Sequence, residues 1–242
     1  MGIFEKTWQL NQRYFVIFLF IVALIISLVI VFKLSDENWK NIFISISAGL
    51  IIALIQFGLS WYEYMTIDKY RKMGIINIYD DKHKEDMYGN KINNAKQKIC
   101  LMGNTAGKFL GDFADKDSKK ESKQFLIEKL KKGIEVKILI GKKTLFQGQS
   151  KRLRDYEDAK AIIEELKVAY PEKFKCKYYN HEPAHSIFIF DNECFIGPIF
   201  PNTTSFDIPF IHMYNESTFA SNYIEYFNTE WEKAVDSDNT DT

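Results

Sequence analysis

Two stretches of this 242-residue chain gather side chains that could do chemistry. His181-Glu182-Pro183-Ala184-His185 spells H-E-x-x-H, the pattern in which two histidines hold zinc and the glutamate is a general base. Those mechanics need both histidines on one helical face. Pro183 disfavours the helix, and the flanking KCKYY and SIFIF read as strands. Only His83 and His212 remain as further histidines, so no metal is expected here. The second stretch, Gly103-Asn104-Thr105-Ala106-Gly107, follows an apolar run and can open a helix whose backbone amides hold a phosphate. It lacks the P-loop lysine spacing and the G-x-G-x-x-G order, and glycine-rich turns also serve backbone geometry alone. Basic groups that could join such a site follow the EVKILI run: Lys142 and Lys143, then Arg152 and Arg154, which with Lys151 make the one basic cluster.

The elements that must position these groups alternate. Ile75–Tyr79 is a short apolar run, and Lys84–Gln97 reads as helix. KICLM (98–102) reads as a buried strand, 122–132 as an amphipathic helix closed by Gly133, and EVKILI (135–140) as a second strand. A long amphipathic helix over 150–169 stops before Pro171. Strands at 175–179, 186–190, 194–199 and 210–214 and a closing helix at 217–235 complete the pattern. Strands alternating with helices predict an α/β domain whose mixed sheet is covered by helices on both faces.

Residues 1–66 differ from that domain. The run from Tyr14 to Phe32 carries no charge and spans about 28 Å at the α-helical rise, close to the hydrocarbon thickness of a bilayer. It is apolar all round, unlike a core helix, and no small-residue cleavage pattern follows it. A second uncharged run covers 41–62, with Trp39, Trp61, Tyr62 and Tyr64 placed as an aromatic belt. Both are read as transmembrane helices. Lys6 and Arg13 precede the first, and Lys69, Arg71 and Lys72 follow the second, which predicts both termini in the cytoplasm of an inner membrane. Asn202 and Asn215 then sit in glycosylation patterns that a cytosolic site would not use. Cys100, Cys176 and Cys194 lack metal-like spacing and read as reduced, buried thiols.

Within the second span Ser45, Gly49, Ala53, Gln56 and Ser60 fall on one helical face. Small residues and one amide suit close helix packing, either on the first helix of the same chain or at an oligomer interface or water-filled path. Thirty-two basic residues balance 32 acidic ones, so no strongly basic nucleic-acid-binding face is expected. The domain should run over 67–235, with a disordered acidic tail over 236–242.

The order of the domain resembles one repeat of the phospholipase D superfamily. The residues that carry the likeness are the KKGIEVKILI helix-to-strand junction, the HSIFIFDNECFIGP hairpin and a closing helix with Tyr226-Phe227 and Trp231. In active members that hairpin carries H-x-K-x-x-x-x-D and then Gly-Ser; the histidine attacks phosphorus and the lysine neutralises its oxygens. His185 matches the nucleophile. The lysine position is Ile187, Asp191 comes one residue early with Asn192 in its place, and Gly-Ser has become Gly197-Pro198. The resemblance therefore implies a phospholipase D-like fold with its phosphodiesterase chemistry lost, paired as a homo-oligomer because single repeats complete their site as dimers. It also implies a phosphodiester ligand, a cyclic nucleotide included, held by Asn104, Thr105, Lys142, Arg152, Arg154, His185 and Asn202, with no cofactor. Two-helix anchors joined to nucleotide-sensing domains occur among bacterial anti-phage effectors, and that analogy implies a signal-responsive membrane effector. The alternative is a membrane-anchored phosphodiesterase using His185 in a homodimeric site.

Overall fold

The computed structural model describes residues 3–80, 84–200 and 208–238. The chain divides into two compact units, Met1–Lys69 and Tyr70–Thr242.

The first unit is a helical hairpin, α1 (Ile3–Lys33) and α2 (Glu37–Lys72). Both helices are long and apolar enough to cross a membrane, with mean hydropathy of 3.5 and 2.3 over their apolar windows. Asp36 starts α2 by accepting from the amides of Asn38 (2.8 Å) and Trp39 (3.4 Å). Within the apolar part of α2, residues 41–62, the least exposed positions are Phe43, Ser47, Leu50, Leu54, Phe57 and Trp61, at alternating steps of four and three, joined by Ala53 beside them. That is the seam of an antiparallel coiled pair. Its polar pin is Ser27 against Ser47, Oγ to Oγ at 2.9 Å and both buried; Tyr14 meets Trp61 near the other end. The stripe singled out by spacing therefore does not make the hairpin contact. Ser45, Gly49, Gln56 and Ser60 are exposed and only Ala53 is half-buried.

The second unit is α/β. Its strands are β1 (Ile75–Tyr79), β2 (Lys98–Gly103), β3 (Glu135–Gly141), β4 (Phe174–Tyr179), β5 (His185–Phe190), β6 (Glu193–Pro198) and β7 (Phe210–Tyr214). They form one seven-stranded sheet in the order β1-β7-β6-β5-β2-β3-β4. β2, β3 and β4 run parallel, β5 returns antiparallel to β2, and β5, β6, β7 and β1 continue antiparallel. The helices are α3 (Lys84–Asn94), α4 (Gly107–Phe113), α5 (Phe125–Lys131), α6 (Ser150–Ala169) and α7 (Thr218–Lys233).

One sheet face packs its Leu101, Val136, Ile138, Phe188, Phe190 and Phe195 with core residues of α3, α4, α5 and α6. The other carries Met102, Leu139, Ile187, Ile189, Cys194 and Met213 against Phe227 and Trp231 of α7. Helices thus cover both faces, and strand alternation sorts each residue to one of them.

Polar pins hold the edges of this core. Val235 exchanges backbone hydrogen bonds with Tyr178 (2.8 and 3.1 Å) and so closes the outer edge of β4. The tail expected to be disordered from Asp236 is tied down as far as Asp238, which accepts from the buried Tyr156 hydroxyl and from the amide of Lys143. Residues 239–242 lie outside the described ones.

Under α3, the buried His212 donates from Nε2 to Glu193 (2.7 Å), which also accepts from Lys91, while Nδ1 has no partner. Burial pushes the His212 pKa below its ordinary 6.5, and the Glu193 hydrogen bond only partly offsets this. The unfolded chain therefore binds a proton first as pH falls through about 6.5, so this contribution to stability is full above that value and lost below it. His181 has the opposite sign. Its hydrogen bond to Glu230 raises its pKa, so its contribution is present below about 6.5 and lost at higher pH. His181 is nearly half exposed and screened, so the His212 effect dominates. Thermal melts of the full chain in detergent should give a lower midpoint at pH 5 than at pH 7, and His212→Gln should flatten that dependence. A pH dependence that survives unchanged in His212→Gln would show that other groups set it.

Candidate functional site

The parallel strands β2, β3 and β4 end on one side of the sheet, where β5 and β7 begin. Carboxyl ends of parallel strands are where open α/β sheets place their ligands. A cleft of about 960 Å³ opens there. Its walls include the β2–α4 turn (Gly103 to Lys108), the first turn of α6 (Ser150, Lys151, Arg152), the strand positions Ser186, Gly197 and Pro198, then Ile199 and Phe200 after β6, and Ile208 to Phe210 leading into β7. Its floor is aromatic, from Tyr88, Phe109, Phe113, Phe188 and Phe210. Tyr88 stacks on Phe188 at 4.6 Å, and Phe109 lies 5.6 Å from Phe188.

Local chemistry explains the walls. Asn104 is fixed because its carbonyl accepts from the Gly141 amide (2.9 Å), and Gly103 accepts from the Tyr179 hydroxyl (2.6 Å). Ala106 holds a left-handed conformation, φ 56°, which a non-glycine residue adopts only under constraint. That bend starts α4 at Gly107. A Cβ there would stand 2.3 Å from the carbonyl oxygen of Asp155, so glycine lets α4 and α6 meet. The first turn of α6 has no side-chain cap, which leaves its positive dipole end to the cleft beside Lys151 and Arg152. Arg152 also reaches the Phe200 carbonyl (3.4 Å). Lys108 adds a third cation, and Asp112, Asp155 and Asp158 line the same cleft, so its charge is divided rather than uniformly basic.

Of the residues singled out from sequence, Asn104, Thr105 and Arg152 come together here. His185, Lys142 and Arg154 do not line this cleft. Asn202 lies outside the described residues. His185 shares strand parity with Ile187 and Ile189, on the face under α7, and meets Tyr223 edge-on at 5.2 Å. Its neighbour Ser186 takes the cleft side. Ile187, two residues further along the same face, is wholly buried in the core beneath α7.

Asp191 stands at the far end of β5 from His185. Its carboxylate accepts from the amides of Lys96, Gln97 and Lys98 (2.8 to 3.0 Å) at a left-handed turn, φ 52°. Burial pushes its pKa up, but those three amides outweigh burial and leave it below its ordinary value. It is a hairpin tie. The H-E-x-x-H segment is not helical: it joins β4 to β5, with His181 hydrogen-bonded to Glu230 at 2.5 Å.

Sequence reasoning missed Ser186, Lys108 and the aromatic floor. One signal was available. In HSIFIF, Ser186, Phe188 and Phe190 alternate with His185, Ile187 and Ile189, and only one of those sets can face any given cleft.

No family model matches the chain, and no curated protein matches it. Among solved structures it is similar to TrmBL2, described as an archaeal chromatin protein with a novel mode of DNA binding, at 16% identity over 84% of this chain and 72% of that one, TM-score 0.44. It is also similar to NucT from Helicobacter pylori, at 12% identity over 66% of this chain and 98% of that one, TM-score 0.44. Likenesses at this level assign neither family nor activity.

Proposed function

We propose that this chain is a membrane effector: a two-helix anchor in the inner membrane, both termini cytoplasmic, carrying a phospholipase D-like domain that binds a nucleotide or related phosphodiester without cleaving it. Ligand binding biases how copies associate and so controls oligomerisation or membrane disruption, in the manner of a bacterial anti-phage effector. The observation that carries the binding reading is the cleft, where an aromatic floor suited to a nucleobase lies beside Arg152, Lys151 and an uncapped helix start suited to a phosphate. The non-catalytic reading is supported by Ile187 buried in the core and His185 outside that cleft.

Gln56 supports the association step. It is exposed on a helix read as spanning, with Ser45, Gly49 and Ser60 beside it, and an amide at membrane depth gains from a partner on another helix.

The test uses the purified full chain in detergent against cyclic mono- and dinucleotides. At least one should raise the thermal midpoint, and dye-loaded vesicles carrying the protein should leak on its addition. No stabilisation by any member of the panel would remove the nucleotide reading. Phosphodiester hydrolysis that disappears in His185→Ala would establish the enzyme alternative instead. For topology, a C-terminal reporter should be cytoplasmic and a cysteine placed at Asn38 should be labelled from outside intact cells; the reverse pattern overturns the orientation.

A further inference from the structure

The two edges of the sheet are finished differently. β4 is closed by the Tyr178–Val235 bridge, whereas among the described residues nothing pairs with the outer edge of β1. That edge carries Ile76 and Ile78, 38% and 58% exposed, with no lysine or proline to discourage pairing. The Ile78 amide donates to the side chain of Asn77, its neighbour in sequence, at 2.9 Å. A bulge lies between Ile75 and Asn77, and the strand is otherwise regular against β7.

We infer that the β1 edge pairs with β1 of a second copy of this chain, antiparallel about a two-fold axis through Asn77. The charges at its ends are self-complementary. Arg71 is exposed in the last turn of α2, four residues ahead of β1, and Asp80 is exposed directly after that strand. An antiparallel pair centred on Asn77 sets Gly74 of one copy opposite Asp80 of the other, so each Arg71 approaches the partner's Asp80. A parallel pair would set like charges side by side. The same register places Ile76 opposite Ile78, exchanging the Asn77 side-chain bond for main-chain bonds and covering two exposed isoleucines. Five residues bury too little surface for a stable dimer free in solution. Two copies confined to one membrane meet at high effective concentration, which a short edge can exploit. The inference rests on the membrane reading for its strength and is independent of which ligand the cleft takes.

The experiment is oxidative cross-linking of full-length Asn77→Cys in its membrane. The native thiols are suited to it: burial pushes Cys100 up to about 11 and Cys176 and Cys194 up to about 12, so they stay protonated and unreactive. Asn77→Cys should give a disulfide-linked dimer, since a position on the two-fold axis faces its own copy. Adding Ile78→Lys should reduce the cross-link to a small fraction, and Val168→Cys, 83% exposed on α6, should give none. Accumulated Asn77→Cys that does not cross-link overturns the inference, as does equal cross-linking through Val168→Cys. Should Asn77→Cys fail to accumulate, Ile76→Cys and Ile78→Cys co-expressed with different tags read the same register, and absence of the mixed dimer overturns it equally. Failure of the topology test alone would leave the cross-link pattern standing, so the two readings fail separately.

Discussion

Gly107→Ala is expected to destabilise the domain by about 2–3 kcal/mol, lowering its thermal midpoint by roughly 5–10 °C. Two effects compete. Alanine is the better helix former by about 1 kcal/mol in a helix interior, and by less in a first turn such as this one. Against that, the new methyl would stand 2.3 Å from the Asp155 carbonyl oxygen. That oxygen belongs to the backbone of α6, so no rotamer change relieves the contact, and α4 or α6 must shift by about an ångström in a packed core. The clash wins. Gly111→Ala in the same helix meets nothing within 4 Å and should be neutral or slightly stabilising. Thermal melts of both variants decide the matter. Equal behaviour would show that α4 does not bear on α6 as described. Because Gly107 lines the cleft, its alanine variant should also weaken any cleft ligand.

Arg152→Glu should lower the affinity for whichever nucleotide stabilises the chain by about 10- to 100-fold. A charge-assisted hydrogen bond to phosphate contributes about 1.5–3 kcal/mol, and each 1.4 kcal/mol is tenfold. His185→Ala should leave that affinity within about threefold, because the imidazole faces Tyr223 on the other side of the strand. Titrations of the two variants separate the readings. A loss confined to His185→Ala would move the ligand to the α7 face, where the resemblance to phospholipase D-like proteins would put it. Arg152 also holds the Phe200 carbonyl, so Arg152→Lys is the companion variant. It retains the charge but not the fork, and should fall between wild type and glutamate.

How much of this was legible beforehand follows the range of the forces involved. Local patterns fixed the elements: uncharged runs gave two helices long enough to span a bilayer, and alternation with breakers gave the strands at their observed places within a residue or two. The α4 helix was anticipated only as an opening after the Gly103–Gly107 turn; its extent was not legible, because seven residues after a strained Ala106 carry too short a period to read. The hairpin seam was present in the spacing of Phe43, Ser47, Leu50, Leu54, Phe57 and Trp61, but the small-residue stripe beside it was easier to see. Which of the two meets α1 depends on the partner helix and on Ser27.

The site shows the same division. Residue type marked Asn104, Thr105 and Arg152 as candidates, and it marked His185 with equal force. Strand periodicity determined that His185 and Ser186 face opposite ways. It could not determine which face would open into a cleft, because that is set by which helices cover which side. Here α7 closes over Ile187 and His185, while the cleft opens over Ser186 and Phe188, beside α4 and the first turn of α6. Hydrophobic periodicity acts along a few residues of chain and is written in the sequence. The meeting of segments from Gly103 to Phe210 is decided by packing between surfaces far apart in the chain, and only the tertiary structure contains it.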